Sequence, residues 1–296
     1  MSLVFERDHN ATHGVIHRYI NGVQYDDLTM PNPTGTLTGS HLYFGAGRSG
    51  SEFFSGKLDD IRIYNRALST AEVTSLYDTE KPSLTDGLVA YYPFNGNAND
   101  ESGNANNGVV NGATSTTDRH GIAGKAYSFD GVNDNIDLGD KPAFDFGTSD
   151  FTFSLWFQTS GEQINKYIIG KYHGVNPPAY GIGTHGHTKG YAFLYDGGES
   201  VSVEARGSTD VDEGNWHHML VAFDRDAKMS MYLDGALEVS SDISGEQEAI
   251  SNAMNLYIGR IQDGAVHFGG KIDDIRIYNR ALTAAEVLKL YDLEKP

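Results

Sequence analysis

The segment Gly56–Pro82, GKLDDIRIYNRALSTAEVTSLYDTEKP, returns as Gly270–Pro296, GKIDDIRIYNRALTAAEVLKLYDLEKP, with 21 of 27 positions identical at an offset of 214. The echo continues upstream. Leu42–Gly45 matches Leu256–Gly259 at the same offset, Tyr19–Gly22 matches Tyr232–Gly235 at 213, and Phe5–Asp8 resembles Phe223–Asp226. Such a period is too long for a solenoid unit and has the length of a whole domain. The offset therefore predicts one complete copy in residues 83–296 and the carboxy-terminal half of a second copy in residues 1–82. The first copy is expected to begin where the second has reached His218, which leaves out roughly 135 residues of its amino-terminal half.

Short runs rich in Val, Ile, Tyr and Phe alternate with Gly, Asn and Asp turns, as in Phe151–Gln158, Tyr191–Tyr195, Lys228–Leu233 and Lys271–Tyr278. That pattern predicts an all-β chain. Helix is expected only at the end of each copy. There Ser69 or Thr283 stands as N-cap, with Glu72 or Glu286 at the capping-box position. Many short strands and little helix predict two antiparallel sheets packed as a sandwich, or a barrel.

The balance of 40 acidic against 22 basic side chains gives a net charge of -18, which argues against nucleic acid as a partner. The same excess supplies hard oxygen ligands suited to calcium. There is no cysteine, so disulfides and thiolate chemistry are excluded. No apolar run reaches a membrane span. MSLVFERDHN has neither a basic start nor an apolar core, so the expectation is a start downstream of the natural one or no export by a signal peptide.

Four segments in order carry a family resemblance. They are Leu88–Phe94 with the loop Asp100–Asn106 and Tyr127–Gly131, then Asn215–His218 with Met231–Gly235, and last the duplicated Gly270–Leu282. Together they resemble the laminin-G-like, concanavalin-A-like jelly-roll family, on the branch related to pentraxins. The resemblance implies two curved antiparallel sheets whose first and last strands lie side by side. It also implies a binding module of secreted or surface proteins, extracellular in location.

A closing-strand aspartate is a calcium ligand in the related laminarinase-type hydrolases, together with backbone carbonyls of the first strand. By that resemblance Asp273 is the leading calcium candidate and Asp59 its counterpart in the first copy. Strict alternation would put Asp273 on the core face with Ile275 and Ile277, where a carboxylate must be paired, hydrogen-bonded or metal-bound. The alternative is a carboxylate capping turn amides or pairing with Arg276. Asp100 and Asn104 in the first loop, and Asp130 and Asp134 in the following turn, offer further oxygens, or else form ordinary polar turns. Gln262 and Asp263 lie where pentraxins carry part of a calcium site.

A second group is Tyr172, His173, Tyr180, His185, His187 and Tyr191, read as loop residues among Gly181, Gly183 and Gly186. Aromatic faces stack on sugar rings, so these are candidate carbohydrate ligand residues, and His185 with His187 forms a candidate transition-metal pair. The bland alternative is a decorated solvent loop or packing on the sheet. No Glu-x-Asp-x-x-Glu strand, Gly-x-Ser-x-Gly elbow or phosphate-binding glycine loop occurs. The expected function is a non-catalytic, calcium-stabilised module that binds carbohydrate or a glycosylated surface. The alternative is a structural or adhesive tandem unit of a bacterial surface adhesin or of a phage appendage in a virion. The half copy is expected to associate, most simply as a homodimer in which Gly56–Leu68 takes the place of Gly270–Leu282.

Overall fold

The computed structural model describes all residues except 1, 7–12, 21, 32–42, 45–52, 57–60, 81–82, 161–164, 173–177, 187–188, 198–201 and 263–265. The chain divides into two compact units, Met1–Pro82 and Ser83–Pro296.

In the first unit, strands β1 (Ser2–Glu6), β2 (His13–Ile20) and β3 (Val23–Pro31) form an antiparallel sheet in that order. Helix α1 (Thr70–Glu80) belongs to the same unit. Val4, Tyr19 and Val73 are buried together, with Ala67 and Leu68 packed against them. The helix starts as expected: Ser69 N–H donates to Glu72 Oε2 at 2.8 Å, and Glu72 N–H donates to Ser69 Oγ at 3.3 Å. Gly22 turns the β2–β3 hairpin with φ 75°, and a Cβ there would meet the Tyr77 ring at 2.8 Å. Gly235 repeats the arrangement under Tyr291 at 2.7 Å. The two copies differ on the other sheet face. Arg18 and Asp26 form an ion pair there. At offset 213 stand Met231 and Val239, which pair across two strands of the second unit.

Among its described residues the second unit has fifteen strands. They are β4 (Leu88–Tyr92), β5 (Val109–Asn111), β6 (Thr114–Thr117), β7 (Ala123–Asp130), β8 (Asn135–Gly139), β9 (Phe151–Ser160), β10 (Tyr167–Lys171) and β11 (Ala179–His185), followed by β12 (Lys189–Tyr195), β13 (Val203–Asp210), β14 (Glu213–Phe223), β15 (Lys228–Leu233), β16 (Ala236–Asp242), β17 (Leu256–Ile258) and β18 (Gly269–Tyr278). Helix α2 (Ala284–Glu294) ends the chain. One sheet runs β13-β12-β11-β10-β17-β8-β5, and the other β16-β15-β14-β9-β18-β7-β6, with β4 paired to β18. The first and last strands are thus antiparallel neighbours, with Ile275 opposite Tyr92 and Ile277 opposite Ala90. This is the concanavalin-A-like jelly-roll sandwich.

Strand β9 shows why the layers form. Phe151, Phe153, Leu155 and Phe157 point into the core, while Thr152, Ser154 and Trp156 point the other way. Phe151 stacks on Phe146 at 4.4 Å and on Phe223 at 4.2 Å between centroids. Each such ring stabilises the fold by about 1.5–3 kcal/mol on burial. On the outer face, Leu220, Ala222, Tyr278 and Leu282 receive Val287 and Leu290 of α2. The Thr283–Glu286 capping box is complete. No helix among the described residues is long and apolar enough to cross a membrane.

Strict alternation fails at one place on β18. Asp274 has φ 42°, and the register slips between Asp273 and Arg276. This bulge keeps Ile272, Ile275 and Ile277 in the core and turns Asp273 outward beside Arg119. The core-edge position expected for Asp273 is therefore corrected: the carboxylate lies on the outer face of its sheet, although it is only 2 % exposed.

Candidate functional site

Strands β10 to β13 lie at one end of the β13-to-β5 sheet and present a row of rings on its outer face. Ile182, Ala192, Leu194 and Ala205 point into the core, so alternation sends Gly181, Gly183, Tyr191, Phe193, Glu204 and Arg206 outward. The register sets Gly183 opposite Tyr191, Gly181 opposite Phe193, and Phe193 opposite Glu204. With no side chain on Gly181, the Phe193 ring lies across it; a Cβ there would stand 2.5 Å from that ring. Tyr172, Tyr167 and Tyr191 surround Phe193 at centroid distances of 5.3, 5.8 and 5.9 Å. His185 extends the row, tilted on Tyr191 at 5.5 Å. Phe193 is buried by its neighbours, whereas Tyr167, Tyr172, His185 and Tyr191 remain partly exposed.

Polar groups border the rings. Tyr191 Oη donates to Glu204 Oε1 at 2.9 Å, and Arg206 Nε donates to Glu204 Oε2 at 2.8 Å. Burial, and then the bond to Glu204, push the Tyr191 hydroxyl well above the usual phenol range, so it stays a donor. On β17 and beyond it, the Arg260 guanidinium covers the Tyr257 ring at 4.2 Å, and Asn255 Nδ2 donates to both Asp137 oxygens at 3.0 Å. Flat apolar rings beside a carboxylate and a guanidinium can take a polyol: its C–H face leaves water on the rings while its hydroxyls find partners.

Of the candidate ligand residues, the structure places Tyr172, His185 and Tyr191 in one row of rings around Phe193, in a setting other than the loop read from the sequence. They border or belong to strands, not a long loop. Tyr180 does not join them. It points into the core, packs on Phe146, Phe151 and Phe153, and donates its hydroxyl to the Phe144 carbonyl at 2.8 Å. His173, His187, Asp59 and Asp263 lie outside the described residues. Tyr167, Phe193, Glu204 and Arg206 were missed, although the alternating Tyr191-x-Phe193-x-Tyr195 was a readable signal for one strand face.

The expected calcium ligands do not fit as one site. Asp273 Oδ2 accepts from Arg119 Nη1 at 2.5 Å, and Asp274 Oδ2 accepts from Arg119 Nη2 at 2.6 Å. Arg276 instead bonds Glu294 at 2.6 Å, so the expected Asp273–Arg276 pair is replaced by these two. Asp100 takes the amides of Tyr91, Ser102 and Asn106. The Asn104 side-chain amide donates to the first-strand carbonyls of Leu88 and Val89, and that of Asn106 to Val89. Asp130 Oδ1 takes the amides of Val132, Asn133 and Asp134, and these bonds hold its carboxyl below the usual range. Asp134 Oδ2 takes the amide of Asp130 in return. Among the described residues no group of three or more His, Asp or Glu side chains could hold a metal ion.

A second concavity of 520 Å³ is lined by Leu88, Val89, Asn104, Asn106, Asp145 and Phe146, among others. Its Asp145 is oriented by the buried Lys171 ammonium at 2.6 Å.

Comparisons with known proteins agree with this architecture. The structure superposes on the binding domain of Paraclostridial Mosquitocidal Protein 1 with TM-score 0.58 and 19% identity, over 71% of this chain and 53% of that one. It superposes on domain 4 of AbnA, a GH43 extracellular arabinanase of Geobacillus stearothermophilus solved with arabinotriose, with TM-score 0.54 and 22% identity, over 69% and 98%. The ligand-binding domain of botulinum neurotoxin serotype D, solved with N-acetylneuraminic acid, gives 0.56 and 15%, over 71% and 52%. In sequence, 149 residues are 25% identical to adhesion G-protein coupled receptor V1 of Danio rerio, covering 49% of this chain and 2% of the receptor. The family description "Concanavalin A-like lectin/glucanases superfamily" matches residues 3–74 and 130–288. The chain belongs to the concanavalin A-like lectin/glucanases superfamily, in its laminin-G-like branch.

Proposed function

We propose that the second unit is a non-catalytic carbohydrate-binding module of a secreted or surface protein, and that neutral sugars bind on the outer face of β10–β13. The observation that carries this reading is the ring row Tyr167, Tyr172, Tyr191 and His185 around Phe193, bordered by Glu204 and Arg206. A sugar ring placed over Tyr191 or Tyr172 donates hydroxyls to Glu204 and accepts from Arg206. A net charge of -18 and the Glu204 carboxylate disfavour sialylated ligands. Support comes from the arabinotriose complex of the arabinanase domain, 98% of which superposes on this chain.

Titration of the full chain with arabinotriose and with N-acetylneuraminic acid tests the reading. The expected result is saturable binding of arabinotriose, recovered unhydrolysed, and none of the acid. Tyr172→Ala with Tyr191→Ala should abolish it with the fold retained. Full binding by that double variant moves the site elsewhere, with the concavity at Asn104 and Asp145 the next place to mutate.

A further inference from the structure

In the second unit, the segment that opens the fold covers the elements that close it. Leu88–Tyr92 pairs with β18, and Leu84 and Leu88 pack on the cluster formed by Tyr278, Leu282 and Leu290. Arg280, held by Glu286 at 2.7 and 3.1 Å, donates to the carbonyls of Asp86 at 2.8 Å and Ser83 at 3.1 Å.

The first unit carries the same residue set, and its described residues are more exposed there. Tyr64, Arg66, Leu68, Glu72 and Leu76 stand at offset 214 from Tyr278, Arg280, Leu282, Glu286 and Leu290, and all five are identical. They line an open groove of 270 Å³. Glu72 holds Arg66 at 2.7 and 2.9 Å, as Glu286 holds Arg280. Beside the groove, Ile61 and Ile63 are 49% and 71% exposed, whereas their counterparts Ile275 and Ile277 are 0% exposed. Among the described residues no strand pairs with 61–64.

We propose that this groove and the adjoining backbone of 61–64 receive, by strand addition, the segment Ser83–Tyr92 of a second copy of the chain. The occupant follows from the lining. In the second unit that segment contributes to covering the same residue types, with two leucines on the Tyr278–Leu290 cluster, two carbonyls on the arginine and a strand beside the isoleucines. Main-chain hydrogen bonds supply the affinity of such an addition and the two leucines its register. The exchange links copies through the first unit and leaves the ring face of the second unit free, so it stands or falls apart from the sugar-binding reading.

The test uses the full chain and a fluorescein-labelled synthetic peptide of Ser83–Tyr92. Wild type should bind the peptide saturably, and the amides of 61–64 should exchange more slowly with peptide bound. Ile63→Asp, at a solvent-exposed position, should weaken binding at least about tenfold. A peptide carrying Leu84→Asp and Leu88→Asp should not bind. In sedimentation the wild-type mass should rise with concentration, and excess peptide should return it to that of the monomer. Equal peptide binding by wild type and Ile63→Asp, no binding by wild type, or a monomer at every concentration overturns the proposal.

Discussion

Trp156 donates its indole N–H to Glu294 Oε2 at 3.0 Å, tying the central strand β9 to the last turn of α2. The other Glu294 oxygen accepts from Arg276 at 2.6 Å, and the Glu294 backbone carbonyl accepts from Arg119 Nε at 2.7 Å. One carboxylate therefore joins three elements in a site with little water. Glu294→Ala leaves the Arg276 guanidinium buried without its partner, at a cost of about 3–5 kcal/mol. Trp156→Phe removes one hydrogen bond to a charged group and should cost about 1.5–3 kcal/mol. Urea denaturation of the full chain checks both. Losses under about 0.5 kcal/mol would mean that the helix is not held this way.

The same layer makes stability depend on pH in two opposed ways. Burial, and then the Asp274 carboxylate, push Asp273 up to about 7 against the pull of Arg119. The folded chain then holds a proton that the unfolded chain has released, so this group's contribution falls as pH rises from about 4 to about 7. Burial pushes His218 down to about 3, with its Nε2 bonded to Ser154 Oγ at 2.8 Å. Its contribution is present above the ordinary histidine range and is lost as pH falls from about 6.5 toward 3. Asp273→Asn should leave a urea midpoint that climbs more steeply with pH than wild type. His218→Leu should leave one that declines across the same range. Parallel profiles for the three proteins would refute both assignments.

Chelation should leave the melting temperature unchanged. A resident calcium ion at a hundredfold excess over its Kd would add about 2.7 kcal/mol to stability. Among the expected ligands, Asp273 Oδ2 is engaged by Arg119, and both Asp100 oxygens and Asp130 Oδ1 by backbone amides. Calorimetry of the full chain in calcium and in EDTA decides the matter. A drop of several degrees in EDTA, absent in Asp273→Ala, would restore the calcium site.

The repeat and the capping boxes were legible because each rests on local pattern or on duplication of a long segment, and the neighbouring first and last strands were implied by the family resemblance. The side on which Asp273 lies was not. One left-handed residue, Asp274, shifts the register, and the Asp-Asp pair carries no mark of which residue bulges. The ring row was half legible. Tyr172, His185 and Tyr191 stood out by type, but reading their segment as loop hid the alternation that separates Tyr191 from Tyr180. Glycines at 181 and 183 read as turn residues, whereas in the sheet they are outward positions left bare for neighbours to cross.

Those two glycines make the sharpest test of the site. A Cβ on Gly183 would fall 1.9 Å from the Lys166 carbonyl oxygen, which is backbone and cannot step aside. Gly183→Ala should therefore destabilise the whole unit, by about 1–3 kcal/mol or more. A Cβ on Gly181 would meet only the edge of the Phe193 ring, at 2.5 Å, and that ring can tilt away. The tilt has little to do with the core, since Phe193 lies on the outer face, but it disturbs the rings of Tyr172, Tyr167 and Tyr191 that rest against it. Gly181→Ala should accordingly lower arabinotriose affinity about tenfold, which is about 1.4 kcal/mol, while its urea midpoint falls less than that of Gly183→Ala. Tyr191→Ala should lose affinity with the smallest stability change of the three, because its ring is partly exposed. If Gly181→Ala binds the sugar as wild type does, the ring row is packing and not a ligand platform.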